Sequence, residues 1–249
     1  MKINKMIRAS LLGLCLSLSY PCIAHASSSD TASNLIGKSE KSSLMFELVN
    51  KTPGTNYSDM KRAIEEEALA NGVTENQVIR EILSEIDSEF QENQIQARSS
   101  SKPKANKPIG LARNRGDVFY SPASTAGVSH GHSGIYSEKT KIVEATPGHG
   151  VKERTYSQVR VSSGAQKQYV NTSQANRNKA ANQARKFIGR SYNYKFPINK
   201  TSKGPMNCSQ TVWAAYKTAT GIDLDSNGGH GVYPVDILRS KYTVTYQRF

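Results

Sequence analysis

Cysteine is scarce in this chain of 249 residues, with three in all, at positions 15, 22 and 208. The first two lie within residues 1–26, which read as a secretory signal peptide: a basic start, a short apolar run, and Ala-His-Ala before the expected cleavage site. Cleavage there would leave Cys208 as the single cysteine and exclude an internal disulfide. An unpaired thiol in an exported protein needs a functional reason, because that compartment favours oxidation.

Long apolar runs are also lacking. The run at residues 9–23 is short and interrupted by Ser, Tyr and Pro, so it is poorly suited to span a bilayer. We therefore expect cleavage and a secreted, periplasmic or cell-wall location, with an uncleaved membrane anchor as the alternative. The sequence contains no internal repeat and no nucleic-acid-binding motif, so no nucleic-acid partner is expected.

Acidic residues are few, 20 against 33 basic ones, giving a net charge of +13. The imbalance is uneven: residues 27–98 hold 13 acidic and 7 basic residues, whereas residues 99–249 hold 7 acidic and 23 basic ones. This difference indicates two parts. The basic part favours a polyanionic surrounding such as a bacterial wall or a phospholipid surface. The alternative is that its basic residues simply solvate the surface.

Residues 27–96 are expected to form a small acidic helical segment. Ser58 is predicted to cap one helix that ends at Gly72, and a Thr74–Gln77 capping box to begin a second, strongly periodic one. Residues 27–57 are expected to be loosely ordered. Residues 97–110, rich in Ser, Lys and Pro, are interpreted as a linker to a single domain at residues 111–249.

The basic part combines short strand patterns with two helices. "GDVFYSP" (116–122), "HGHSGIYS" (130–137), "KIVEAT" (141–146) and the terminal "YTVTYQRF" are typical of strands. A helix is predicted over 172–189, with Phe187 and Ile188 facing inward, and another follows Cys208 and stops at Gly221. The order predicts an α+β fold with helices packed on an antiparallel sheet.

The blocks "HGHSGIY", "RSYNYKF" and "NCSQTVWAAY", in this order, resemble the circularly permuted NlpC-type, papain-like cysteine hydrolases of the YiiX/YycO-like branch. Unpermuted members place the cysteine helix before the histidine strand. The resemblance covers residues 116 to about 240 and none of the acidic segment. It implies a cysteine peptidase or amidase, with Cys208 as nucleophile, His132 as base, Glu144 as the group that orients the base, and Tyr194 in the substrate cleft.

The position of Cys208 supports the nucleophile independently. A thiolate attacks a carbonyl far better than a thiol, and free N–H groups at a helix start favour the anion. The same amides can donate to a tetrahedral oxyanion. The alternative is a small buried hydrophobic residue, but a helix start flanked by Asn207 and Ser209 is a poor core position.

The other site residues have alternatives as well. His130 lies two residues before His132 and is the second candidate for the base. A zinc site built from His130, His132 and His149 lacks a recognisable ligand motif, so neither a metal nor another cofactor is expected. Glu144 lies among apolar residues and is expected to accept from the imidazole Nδ1–H, the alternative being an edge-strand glutamate in water. The alternative for Tyr194 is a half-buried core tyrosine.

The substrate is the least determined feature, because this scaffold serves both peptides and acyl lipids. The leading hypothesis is a secreted cysteine hydrolase acting on peptidoglycan peptides or related amide bonds. The alternatives are a lipid-directed acyl hydrolase or acyltransferase, and a non-catalytic cell-surface binding protein. The charge difference further predicts that the acidic segment, through residues such as Glu65, Glu85 and Glu89, docks on the basic domain and restrains it. An independent helical hairpin is the alternative.

Overall fold

The computed structural model describes residues 28–98, 106–125 and 127–249, with side chains from residue 37 onward except that of residue 125. The predicted signal peptide and most of the predicted linker lie outside the described residues. The chain divides into two compact units, Met1–Lys38 and Ser39–Phe249. In the first unit, the described residues form the beginning of helix α1; the sheet and the other helices belong to the second unit.

The elements follow the chain in this order. The helices are α1 (Ser28–Lys51), α2 (Tyr57–Asn71), α3 (Glu75–Arg98), α4 (Gln174–Arg185), α5 (Cys208–Thr220) and α6 (Pro234–Arg239). The strands are β1 (Lys107–Pro108), β2 (Val118–Ser121), β3 (Ser124–Thr125), β4 (Val128–Ser129), β5 (His132–Glu138), β6 (Lys141–Thr146), β7 (Gly150–Thr155), β8 (Arg160–Val161), β9 (Gln166–Val170) and β10 (Thr243–Arg248). No described helix is long and apolar enough to cross a membrane.

The N-terminal helices differ from expectation at two points. Residues 27–57 were expected to be loosely ordered, but α1 occupies most of them, because Met45 and Leu48 pack in the same apolar core as α2 and α3. The cap of α2 is Asn56, not Ser58: the Asn56 side chain accepts from the Ser58 N–H at 2.8 Å. The predicted end of α2 at Gly72, in the left-handed conformation, is confirmed.

A six-stranded antiparallel sheet, in the order β10-β9-β2-β5-β6-β7, forms the centre of the unit. With the helices packed against it, this confirms the predicted α+β class. Neighbouring β5 and β6 pair Ile135 with Val143 and Tyr136 with Ile142. This register places Glu144 near the beginning of β5, where His132 lies.

Each face of the sheet has its own apolar cluster. Val118, Ile135 and Val143 share one with residues of α4 and α5, all of them buried. Phe119, Tyr136 and Ile142, the alternate residues of the same strands, belong to the cluster on the other face. The prediction that Ile188 faces inward is wrong. Helix α4 ends at Arg185, and Ile188 lies in the following turn with 43% of its surface exposed.

A third cluster joins the N-terminal helices to the rest of the unit. In this cluster the fully buried side chains of α2 and α3 are Met60, Ile64, Ile82 and Ile86. They share it with Tyr120 of β2 and with Tyr233 and Val235 at the start of α6, which are also buried. Burying one such aliphatic side chain is worth about 1.5–3 kcal/mol. This contact therefore has an extensive apolar part, which the charge pattern did not indicate.

The acidic residues of these helices also pair with basic groups across that contact: Glu67 and Glu81 each lie 2.9 Å from a ring nitrogen of His230, and Glu92 pairs with Arg239. Glu65 lies at the exposed surface. Glu85 accepts hydrogen bonds from the backbone N–H groups of His230 (3.0 Å) and Gly231 (3.3 Å). Glu89 is buried, and burial is the main cause that raises its pKa to about 8. The negative charges of Asp236 and Glu85 contribute to the same rise.

The predicted linker at 97–110 is only partly separate from the elements around it. Helix α3 continues to Arg98, and β1 pairs with β8 through Lys107 and Val161. Ile109 is buried in the cluster that contains Phe119. An apolar residue at 109 therefore ties the end of this stretch to the sheet.

Candidate active site

Cys208 is the first residue of α5, and a reciprocal cap fixes the start of that helix. The Asn207 side chain accepts from the Gln210 N–H at 2.9 Å, while the Gln210 side chain accepts from the Asn207 N–H at 3.2 Å. Asn199 also donates to Asn207 Oδ1, at 3.3 Å. Cys208 is 7% exposed and is a free thiol. These hydrogen bonds fix the start of α5, where the Cys208 side chain lies.

The partly buried His132 and the buried Glu144 form a hydrogen-bonded pair. The distance from His132 Nε2 to Glu144 Oε2 is 2.8 Å, so Nε2–H donates to the carboxylate. The expectation that Nδ1 would make this bond is wrong. The imidazole lies edge-on to Phe119, at 5.6 Å between ring centroids, and directs Nε2 along the sheet towards β6. Arg154 lies 3.4 Å from the second oxygen of Glu144.

Cys208 is hydrogen-bonded to His132, and Nδ1 is the ring nitrogen left for this bond. Burial alone would raise the pKa of the thiol, but the hydrogen bond and the charge of His132 lower it, helped by the backbone N–H groups of Ser133 and Ser209. Burial would lower the pKa of His132, yet its bonds to Cys208 and Glu144 raise it to about 10. Together these shifts favour a thiolate–imidazolium pair at neutral pH.

Glu144 remains a carboxylate in this setting. Burial would raise its pKa, but the hydrogen bond and charge of His132, followed by the charge of Arg154, hold the pKa below its ordinary value. Its side chain is only 5% exposed. The alternative of an edge-strand glutamate in water does not fit this burial. A fixed negative charge behind the ring stabilises the protonated imidazole.

The other histidines make hydrogen bonds to other groups. His130 Nδ1–H donates to the carbonyl of Gly131 at 2.6 Å, and burial lowers its pKa. His149 is exposed, with Nδ1 3.2 Å from the Pro147 carbonyl. The two ring nitrogens of His230 bond to carboxylates of α2 and α3: Nδ1 lies 2.9 Å from Glu67 and Nε2 lies 2.9 Å from Glu81. Among the described residues no group of three or more His, Cys, Asp or Glu side chains could hold a metal ion.

A cavity of about 170 Å³ opens beside the sulfur; we call it the Cys208 cavity. Its walls are mainly aromatic rings and prolines. They include Tyr192, Tyr194, Phe196, Tyr233, Pro53, Pro147 and Pro234. Tyr194, which the sequence placed in the substrate cleft, lies in the wall of the Cys208 cavity. Its hydroxyl accepts from the Gly148 N–H at 3.2 Å.

Sequence reasoning missed Phe196, Tyr233, Pro53 and Gly54 as lining residues of this cavity. Pro53 and Gly54 lie more than a hundred residues from Cys208 in the chain. The Pro-Gly pair predicts a turn, but nothing in the pattern indicates what that turn contacts. These residues are recognisable only from the folded arrangement.

Comparison with known proteins is consistent with this arrangement. A family model described as the permuted papain-like amidase enzyme, YaeF/YiiX, C92 family, matches residues 114–231. YycO of Bacillus subtilis (strain 168), an uncharacterised protein, is 32% identical over 205 residues, which are 80% of this chain and 84% of the relative. The chain belongs to the permuted papain-like amidase family. The resemblance inferred from the sequence is confirmed.

Membership of this family makes the protein a papain-like cysteine hydrolase. A solved structure, the metalloprotein YiiX from Escherichia coli O157:H7, is also similar. That structure has 16% sequence identity and a TM-score of 0.41, and the match covers 55% of this chain and 97% of the other. The family match includes Cys208, His132, Glu144 and Tyr194 but not helices α1–α3.

Proposed function

We propose that the protein is an exported cysteine amidase or peptidase with a Cys208–His132–Glu144 triad, acting on peptidoglycan peptides or related amide bonds of the cell envelope. The observation that carries the proposal is the continuous chain of hydrogen bonds from the Cys208 thiol through the imidazole to Glu144, with Nε2 at 2.8 Å from the carboxylate. Each member is positioned by a different element of the fold.

In the proposed mechanism the Cys208 thiolate attacks the carbonyl carbon of the amide. The backbone N–H of Cys208, at the start of α5, donates to the oxyanion that forms. The His132 imidazolium then gives its Nδ1 proton to the leaving amine as the C–N bond breaks, leaving a thioester. Neutral His132 next takes a proton from water, which attacks the thioester and releases the acid and the thiol. Glu144 keeps the ring in the required tautomer throughout.

The cell-envelope location is supported by sequence features. Residues 1–26 have the pattern of a signal peptide, and the strongly basic composition of residues 99–249 suits an anionic wall. A catalytic role for Cys208 would supply the functional reason that an unpaired thiol needs in an oxidising compartment. Peptidoglycan offers amide bonds in the same compartment.

The test is to incubate the mature protein with purified peptidoglycan and to analyse the released fragments by mass spectrometry. We expect new amine and carboxyl termini at one type of amide bond, and none with Cys208→Ala. Equal fragment release by Cys208→Ala would refute the mechanism.

A lipid-directed acyl hydrolase is the second candidate, favoured by the apolar walls of the Cys208 cavity. In a parallel incubation with phospholipid vesicles, release of fatty acid by the wild-type protein but not by Cys208→Ala would assign it that activity. A protein that acts on neither substrate while its Cys208 stays unreactive would be the non-catalytic binding protein.

A further inference from the structure

The wall of the Cys208 cavity includes a segment that lies outside the family match. Pro53 and Gly54 belong to the loop between α1 and α2, residues 52–56, whereas the match begins at residue 114. This loop brings part of the N-terminal helical segment to the reactive sulfur. The segment therefore contacts the place where a substrate must bind.

The loop touches one cavity residue in particular, Tyr194. Gly54 has a φ of +88°, and a Cβ built on it would lie 2.5 Å from Cδ1 of the Tyr194 ring. The backbone therefore rests directly on the ring, which only glycine permits. The hydroxyl of Thr55 donates to the Tyr194 carbonyl at 2.7 Å. Two neighbouring residues of the loop thus hold the ring and the backbone of the same tyrosine.

Tyr194 is held from its other sides as well. Its ring meets Tyr192 edge-on, at 4.9 Å between centroids, and its hydroxyl accepts from the Gly148 N–H. It is nevertheless 37% exposed, so burial in a core does not explain its position. The loop, Tyr192 and Gly148 together fix an aromatic ring at the edge of the cavity.

The loop is itself anchored. Thr52 is fully buried, and its hydroxyl donates to the Leu48 carbonyl at 2.9 Å. The Thr55 N–H closes the turn onto the Thr52 carbonyl at 3.1 Å. The helices on both sides share a buried cluster with Tyr233, which also lines the cavity. A wall anchored in this way can discriminate between groups of different shape.

The chemistry of the cavity indicates what it accepts. Among the described residues, none of those lining it is Asp, Glu, Lys or Arg. Burial lowers the pKa of His130, so this lining histidine is neutral at neutral pH. The volume of about 170 Å³ is close to that of an engineered apolar cavity, roughly 150 Å³, that binds benzene. An uncharged group about the size of an aromatic ring or a leucine side chain fits.

We infer that loop 52–56 forms one wall of a substrate subsite that takes an uncharged apolar group next to the carbonyl attacked by Cys208. The N-terminal helical segment is then a working part of the active site. The inference rests on the proposed role of Cys208 as the nucleophile.

The experiment measures alkylation of Cys208 in the full mature chain by three reagents. Iodoacetamide tests the thiolate alone, N-benzyl iodoacetamide adds a neutral ring, and N-(4-carboxybenzyl) iodoacetamide adds a ring with a charge. We expect the benzyl reagent to react with saturation and at least about tenfold faster than iodoacetamide, because its ring is buried. The carboxybenzyl reagent should lack this advantage, since nothing in the walls balances its charge.

Gly54→Ala should reduce the benzyl advantage about tenfold, because the new methyl group and the Tyr194 ring cannot both keep their places. The matched control is Gly72→Ala. Gly72 has a similar positive φ of +67° with no atom within 4 Å of the added carbon, so it carries the backbone strain alone. Thr55→Val, which removes the hydroxyl bond without that strain, should lower the advantage by a smaller factor. Thermal unfolding of each variant identifies any loss of fold.

The outcomes are separable. An unchanged benzyl advantage in both Gly54→Ala and Thr55→Val, or an equal loss in Gly72→Ala, overturns the subsite. A carboxybenzyl reagent as fast as the benzyl reagent overturns the apolar specificity. Failure of the proposed function looks different: Cys208 in the native wild-type chain would then react with iodoacetamide no faster than an ordinary free thiol near neutral pH.

Discussion

Replacing His132 by Ala removes the partner that keeps Cys208 ionised. In the wild-type protein the hydrogen bond and charge of His132 lower the thiol pKa against the opposing effect of burial. Without the ring, burial remains and the backbone N–H groups of Ser133 and Ser209 are the remaining stabilisers of the anion. We therefore expect the thiol pKa of His132→Ala to lie at or above its ordinary value.

The size of the effect follows from the thiolate fraction. A thiol of ordinary pKa, about 8.5, is only about 0.3% ionised near pH 6, whereas the lowered pKa of the paired thiol leaves a larger thiolate fraction there. A thiolate of higher pKa is intrinsically more nucleophilic, which offsets part of this difference. Because nucleophilicity changes less steeply than ionisation, we expect the alkylation rate of His132→Ala to fall by about tenfold near pH 6 and to change little near pH 9.

The assay is the second-order rate of iodoacetamide modification of Cys208 between about pH 5 and 10, with modification followed by intact mass. His130→Ala is the matched control: it removes a histidine from the same cavity but not the hydrogen bond to the sulfur, so the reactivity at low pH should remain. The reasoning is refuted if His132→Ala retains that reactivity. A loss in His130→Ala instead would make His130 the base.

The remaining predictions concern the rest of the triad and the packing around it. Glu144→Gln should slow turnover roughly fivefold, because a neutral amide still accepts from the ring but a charge-assisted bond is about 1 kcal/mol stronger; an unchanged rate would contradict this role. Hydrolysis should fall as the pH rises through about 10, where His132 loses its proton, while alkylation should not. Asn207→Ala should lower the free energy of unfolding by about 0.5–2 kcal/mol through loss of the helix cap, as measured by urea denaturation. Burial is the main cause that raises the pKa of Glu85 to about 7 and that of Glu89 to about 8, above their unfolded values. As far as these two groups decide it, stability should therefore be greatest below about pH 4.3. It should fall by several kcal/mol as the pH rises from there through about 7 and 8, the range in which the carboxyls are ionised in the unfolded chain but protonated in the folded one. Replacing both by Gln should flatten that part of the stability profile.

The catalytic candidates were accessible from the sequence because their signals are local. Cys208 follows a cap residue and precedes an amphipathic helix, and His132 begins a strand, so residue type and neighbours were informative at each position. Glu144 was recognised as an acid within an apolar strand. Which ring nitrogen it would bond was predicted wrongly, because that choice depends on how the imidazole packs against Phe119, a contact between two strands.

The N-terminal segment shows the limit of charge patterning. Its net negative charge suggested docking on a basic cleft; the observed contact has an apolar cluster around Ile82 and Tyr120, and the pair of Glu92 with Arg239 lies outside that cluster. Buried aliphatic side chains outweigh exposed charges in such a contact, because surface ion pairs are worth about 0–1 kcal/mol each. Helix α1 was overlooked for a related reason: its apolar residues are few and acquire a partner only when α2 and α3 are in place.

Residue pattern alone determined the class of fold, the helix that carries Cys208, and the family, because periodicity, caps and motif order are all properties of short stretches. The tertiary structure decided how the reactive residues are joined and what surrounds them. Gly54 and Tyr194 are separated by about 140 positions, and their contact depends on helices whose apolar faces pack together only in the folded chain. The shape and polarity of the Cys208 cavity arise from contacts of this long-range kind, which no local pattern encodes.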